Sequence, residues 1–164
     1  MLRPSVSATT RPQRPGEVNG REYWFLSDDE FARRVADDAF LEHVTYVGSR
    51  YGTLLSEIER IREEDCAPLL ELETEGALAV KEKVPGAVTI FVTAPVTELE
   101  RRLRERATES TGVIGERLDI ARGQLEEADR FDYVVENDDR ERAAGELAEI
   151  VQRELAAAAT MSRP

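Results

Sequence analysis

Residues 5–23 read SVSATTRPQRPGEVNGREY. Two arginines, Arg11 and Arg14, stand three apart in a loop punctuated by Pro12, Pro15 and Gly16. Proline narrows the conformations open to such a loop, so less entropy is lost when two cations are held around one dianion. Guanidinium groups meet phosphate oxygens in a bidentate geometry that lysine cannot reproduce. Tyr23, and Tyr51 further on, can each add a neutral hydrogen bond to the same phosphate. Taken alone, an arginine pair is more often an exposed basic loop beside a buried tyrosine, and that reading stands beside the first.

Outward from this loop the chain alternates. Residues 5–9 read as the end of a strand and 23–26 as a short strand. Ser27-Asp28-Asp29-Glu30 is a capping box, opening a helix to about Asp38 with Phe31 and Val35 facing inward. Residues 40–47 alternate as a strand and 48–52 supply a turn. Thr53 can cap a helix whose apolar positions are Leu54, Leu55, Ile58 and Ile61. A strand at 68–72, a helix at 74–84 and an apolar strand at 87–93 follow. Helices are predicted at 97–106, 113–128 and 139–158, a strand at 133–136 and a frayed tail at 156–164. The pattern predicts one α/β domain over 1–164: a mostly parallel sheet flanked by helices, with a small mixed lobe near 23–51.

Composition sets outer limits. The chain has 164 residues, 41% hydrophobic and 34% charged, enough for a sizeable core. A net charge of −12 argues against nucleic acid as a partner, since binding it takes a basic footprint. A few local arginines still suffice for one phosphate. Cys66 is the one cysteine, which excludes an intrachain disulfide framework and agrees with a reducing compartment. No apolar run approaches a membrane span, so no membrane association is expected. The basic, hydroxyl-rich N-terminus lacks the long amphipathic pattern of a transit peptide, and a cytoplasmic location is expected. His43 and Cys66 have no partners in motif spacing and read as structural; no metal-ligand pattern is present.

In combination, SVSATTR, RPGE and NGREY resemble the acceptor-nucleotide segment of guanylate kinases, and R-Y-G-T at residues 50–53 agrees with it. The resemblance covers residues 5–154 and implies a P-loop-kinase-like α/β fold with a GMP-binding lobe at about 12–53 and a helical lid at about 104–125. It implies that Arg11, Arg14, Tyr23 and Tyr51 hold the phosphate of GMP. Guanine presents two donors on one edge, so a guanine pocket wants carboxylate acceptors there and a donor for O6; unpaired, those carboxylates disfavour adenine. Phe40-Leu41-Glu42 matches the motif whose glutamate takes this role, Thr53 the hydroxyl serving O6, and Ser7 another pocket residue. Glu73 matches the second carboxylate. There the family pattern D-[IV]-D-x-Q-G reads Glu71-Leu72-Glu73-Thr74-Glu75-Gly76, and each glutamate reaches about 1.5 Å further than an aspartate.

The arginines of residues 101–106 form by default a solvated face, with Glu98–Arg102 an i,i+4 pair. The resemblance gives Arg102, Arg106 and Arg117 a second role, as lid arginines neutralising the transferring phosphoryl group. It places Asn137, in Val134-Val135-Glu136-Asn137-Asp138-Asp139, near the adenine of ATP; an Asx turn capping the last helix fits the same residues. Mg²⁺ is implied as the companion of ATP.

No G-x-x-x-x-G-K-[ST] occurs in these 164 residues. In the family that loop follows a first, central strand, and both are expected to be missing here, from a fragment or a mis-assigned start. The leading expectation is phosphoryl transfer from Mg-ATP to GMP or dGMP, with this chain weakly active or inactive as it stands. The alternative is a non-catalytic guanylate-kinase-like module that takes a protein partner at the GMP site. The guanine-reading residues argue against a different nucleoside-monophosphate kinase.

Overall fold

The computed structural model describes residues 1–105, 119–120 and 122–161, and it gathers into two compact units, Met1–Pro85 and Gly86–Pro164. The first unit contains β1 (Leu2–Pro4), β2 (Ala8–Thr9), β3 (Trp24–Phe25), α1 (Asp28–Ala36) and β4 (Phe40–Tyr46). It continues with β5 (Ser49–Leu54), α2 (Leu55–Glu63), β6 (Ala67–Leu69) and α3 (Thr74–Lys83). The second contains β7 (Ile90–Thr93), α4 (Val96–Glu105), a 3₁₀ turn at Ala128–Arg130, β8 (Tyr133–Glu136) and α5 (Arg140–Met161).

In the first unit β1 and β6 pair in parallel, and a separate four-stranded sheet runs β3-β2-β5-β4. Its β2–β3 pair is parallel, while β2–β5 and β4–β5 are antiparallel. Ala8, Phe31 and Leu54 are its buried centre, and Trp24, Leu26, Val35 and Phe40 pack around them. The Phe31 ring stacks on Phe40 at 4.5 Å, which seats α1 against the β4–β5 hairpin. His43 adds an edge contact to both rings, a structural role.

Helix α1 begins at the predicted N-cap, with Ser27 Oγ accepting the Glu30 N–H at 3.1 Å, while the Glu30 carboxylate accepts from Arg33 and Arg34 and so supplies no returning half of the box. Its end is set by Asp38, in the left-handed region at φ 51°: Ala39 N–H reaches Arg34 O and Asp38 N–H reaches Val35 O. Helix α2 closes in the same way through Asp65, φ 57°, with Cys66 and Asp65 N–H on Ile61 and Arg62 carbonyls. Both are Schellman closures with aspartate where glycine is usual.

Residues 48–52 differ from their expected turn. The hairpin turns in two residues, Val47 and Gly48, both at positive φ, and R-Y-G-T lies inside β5. A two-residue loop of this kind matches the twist of the strands it joins. Thr53 therefore caps no helix; Leu54 precedes α2 without a side-chain cap, and the Thr53 hydroxyl is committed elsewhere. Strands predicted at 68–72 and 87–93 shorten to Ala67–Leu69 and Ile90–Thr93.

In the second unit β7 and β8 pair in parallel from Ile90–Tyr133 to Thr93–Glu136. Val135, Ala143 and Ile150 form its core with Ile90 and Tyr133, so α5 packs one face on β8. Helix α5 runs to Met161, through most of the segment expected as a frayed tail, because alanine-rich 155–159 favours helix. The fold is α/β, with three parallel strand pairs and flanking helices. No described helix is long and apolar enough to cross a membrane.

Candidate functional site

The first unit brings most of the expected residues together on one hairpin and the strands beside it. Tyr51 and Thr53 lie two apart on β5, and side chains two apart in a strand share a face. Thr53 is fully buried and its Oγ1 donates to Glu42 Oε1 at 2.8 Å, across the β4–β5 ladder where the two residues are partners. Glu42 is 3% exposed, and burial pushes its carboxyl above the ordinary value despite the Thr53 hydroxyl and amide bonds that pull it down. The other carboxylate oxygen approaches the first turn of α3. A Cβ on Gly76 would lie 2.7 Å from Glu42 Oε2, so glycine there is what admits the carboxylate. Glu73 immediately precedes α3 at its N-cap position, which puts it at the helix start that Glu42 faces.

Tyr51 carries the hairpin's other half. Its ring meets the Tyr23 ring edge-on at 6.1 Å, and the Arg11 guanidinium lies over Tyr23 at 5.3 Å and over Phe25 at 5.6 Å. Tyr23 is half-buried, and burial, with Tyr51 beside it, raises its phenol above the ordinary value. Arg11 is placed by its backbone as well: its N–H donates to Thr9 Oγ1 at 3.1 Å, and that hydroxyl donates to Arg50 O. Arg14 sits three residues on, in the same loop. Ser7 precedes β2, and its carbonyl accepts the Trp24 N–H at 2.9 Å.

Three residues escaped the sequence reading. Thr9 and Gly76 lie within quoted motifs, but nothing in a sequence says which hydroxyl is buried or which glycine faces a carboxylate. Glu57 is the third. It is 5% exposed and accepts from Val6 N–H at 3.2 Å, Trp24 Nε1 at 3.4 Å and Arg60 Nη2 at 3.0 Å. It thus fastens the neighbours of both Ser7 and Tyr23 to α2. Burial pushes its carboxyl up, but the Arg60 and Val6 bonds outweigh that and hold it below the ordinary range.

The second unit brings together Arg102 and Asn137. Arg102 Nη2 donates to Asn137 O at 2.8 Å, and Arg102 Nε donates to Glu98 Oε1 at 2.6 Å, the pair expected from their spacing. Arg101 and Arg102 together hold the Glu98 carboxyl at about 2. Asn137 Oδ1 is buried with no hydrogen-bond partner among the described residues. Nearby strand ends border an open cleft lined by Thr93, Pro95, Glu136, Asp138 and Arg142. Arg106, Arg117 and most of the expected lid lie outside the described residues. Among the described residues no cluster of three or more His, Cys, Asp or Glu could hold a metal ion.

The family model for guanylate kinase matches residues 2–154. The guanylate kinase of Rubrobacter xylanophilus is 48% identical over 153 residues, which cover 93% of this chain and 80% of that protein. That of Lactococcus lactis is 44% identical, over 92% of this chain and 74% of its own. Among solved structures, the guanylate kinase from Anaplasma phagocytophilum superposes with a TM-score of 0.77 at 30% identity, over 93% of this chain and 76% of that one. With a family match spanning both units and relatives this similar along nearly its whole length, the chain belongs to the guanylate kinase family.

Proposed function

We propose that the first unit binds GMP or dGMP as phosphoryl acceptor, for a reaction in which Mg-ATP gives ADP and GDP or dGDP. The observation that carries this is the single face of β5. It joins Tyr51, part of the arginine–tyrosine cluster, to Thr53, bonded to a buried carboxylate. In this reading Arg11, Arg14, Tyr23 and Tyr51 take the phosphate dianion. Glu42 and Glu73 accept from N1–H and the exocyclic amine of guanine, Thr53 serves O6 by turning to it the one hydroxyl proton that Glu42 accepts in the ligand-free chain, and Ser7 lines the pocket. A carboxylate held with one oxygen bonded to Thr53 is set to accept from guanine, and adenine would leave it unpaired. Arg102, with Arg106 and Arg117, would neutralise the transferring group, and Asn137 would lie near the adenine of ATP. Magnesium would enter as Mg-ATP, a substrate carrying its own phosphate ligands. We assign the protein to the cytoplasm.

Calorimetry on the 164-residue chain tests this. GMP is expected to bind, with AMP at least roughly tenfold weaker, the discrimination expected when buried acceptors are left unpaired. Equal affinity for the two nucleotides would overturn the guanine assignment. Little or no turnover of GMP with Mg-ATP is expected from these residues alone, because in-line transfer depends on donor-side groups such as a P-loop that they do not contain.

A further inference from the structure

The Glu17 carboxylate plays no part in the acceptor-site reading, yet it faces Arg11 with both oxygens. Arg11 Nη2 donates to Glu17 Oε1 at 2.8 Å and Arg11 Nη1 to Oε2 at 3.2 Å. Oε2 also accepts the Arg14 N–H at 2.7 Å, while the Glu17 N–H returns to Arg14 O at 3.1 Å. Glu17 is therefore locked into the turn that carries both arginines. The second N–H of Arg11 Nη1 donates to Pro12 O at 2.8 Å.

A guanidinium offers five N–H donors arranged as two forks, one at its end from Nη1 and Nη2, one at its side from Nε and Nη2. Glu17 takes the end fork. The side fork makes no bond among the described residues. Tyr23 and Phe25 lie under the guanidinium and limit its tilt. The side chains of Arg11 and Glu17 are only 15% and 18% exposed, so the pair is partly shielded from water. Their mutual bonds hold Glu17 below the ordinary carboxyl value and Arg11 above its own.

We propose that Glu17 is a positioning residue: it grips Arg11 by the end fork and so presents the side fork, a complete bidentate donor pair, to the acceptor phosphate. The proposal rests on the reading of this loop as the phosphate site. The ordering of a long side chain is completed before the ligand arrives, which removes that entropy loss from binding. The contrary reading makes Glu17 a surrogate anion that phosphate must displace. The geometry disfavours it, because displacement would also open the turn closed on Arg14 and would leave one fork unused.

The two readings give opposite signs for Glu17→Gln, which keeps the side chain's size but cannot accept from both arginine nitrogens and Arg14 at once. GMP and inorganic phosphate are titrated separately into wild type, E17Q, R11K and the double variant. E17Q is expected to weaken both ligands roughly tenfold, as when the outer partner of a liganding group is removed. In the R11K background the same change should matter less than about twofold, since lysine has no fork to grip. A ¹⁵N spectrum of the Arg11 side chain should show hindered guanidinium rotation in ligand-free wild type and free rotation in E17Q. Unchanged or tighter binding by E17Q overturns the proposal, as does an equal loss in the R11K background. So does free rotation of Arg11 in wild type, a measurement that stands even if E17Q does not fold. Should wild type bind AMP and GMP alike while E17Q weakens both, the guanine assignment falls and the role of Glu17 stands.

Discussion

In its proposed role, Glu42 shows how a candidate site residue can oppose the stability of the fold that holds it. Its carboxyl is raised by burial, so the folded state favours the protonated form. Its stability contribution is then greatest below the unfolded value near 4.5 and is lost as pH rises through the higher folded value. Once ionised, the group costs stability that the Thr53 bonds offset in part and a guanine edge would offset further. Glu42→Gln should therefore unfold at the same or a higher temperature than wild type while binding GMP at least about tenfold more weakly, the scale of a hydrogen bond to a charged group. GMP affinity in wild type, referred to this variant at each pH, should fall as pH drops through the raised Glu42 value, above the ordinary carboxyl range. Thermal melts with calorimetry from pH 5 to 8 check both; a destabilised variant that kept its preference for GMP over AMP would contradict them. Glu42 as a candidate was legible from its motif, because the residue type states the chemistry that the proposed guanine site would use. Its burial and the glycine that makes room for it were not, because they depend on α3 packing on β4.

Among elements, the helix ends carry an unused reserve of stability. Asp38 and Asp65 occupy left-handed backbone where an L side chain costs on the order of 1 kcal/mol. Asp38→Gly and Asp65→Gly should each stabilise the fold by roughly 0.5 kcal/mol, the strain relieved being partly offset by the greater freedom of glycine in the unfolded chain. Their denaturation midpoints should rise with GMP affinity unchanged, since neither residue touches the site; lower midpoints would show that the aspartates serve another purpose. The N-cap at Ser27 and the helical periods of α1 and α2 were readable, as they are local signals. The hairpin turn was not, since Val47 at positive φ violates the local preference of a β-branched residue and is imposed by the β4–β5 pairing. Thr53 likewise fits both a helix cap and a pocket hydroxyl in the sequence, and only the cross-strand register with Glu42 excludes the cap.

At the scale of the whole molecule, the alternation of strands and helices gave the α/β class, since that rhythm survives errors of several residues at each boundary. It did not give two compact units, which depend on contacts far apart in sequence. Charge leads to a last consequence. Residues 1–85 contain eleven lysines and arginines against seventeen carboxylates, a formal −6, within a chain total of −12. Under the proposed assignment, a GMP dianion approaching the site is therefore repelled at long range and attracted only within reach of Arg11 and Arg14. Salt separates these ranges, because the screening length shrinks from about 30 Å at 0.01 M to about 8 Å at 0.15 M ionic strength. Screening should remove most of the distant repulsion while leaving the close, partly shielded contacts of Arg11 largely intact. Stopped-flow association of GMP should thus speed up by a few-fold over that range, a modest instance of electrostatic steering in reverse. Guanosine, which lacks the phosphate, should associate at a salt-independent rate. An association rate for GMP that falls with added salt would mean that the arginine loop projects its field past the acidic surface around it, so that steering is set by the loop and the net charge is irrelevant to capture.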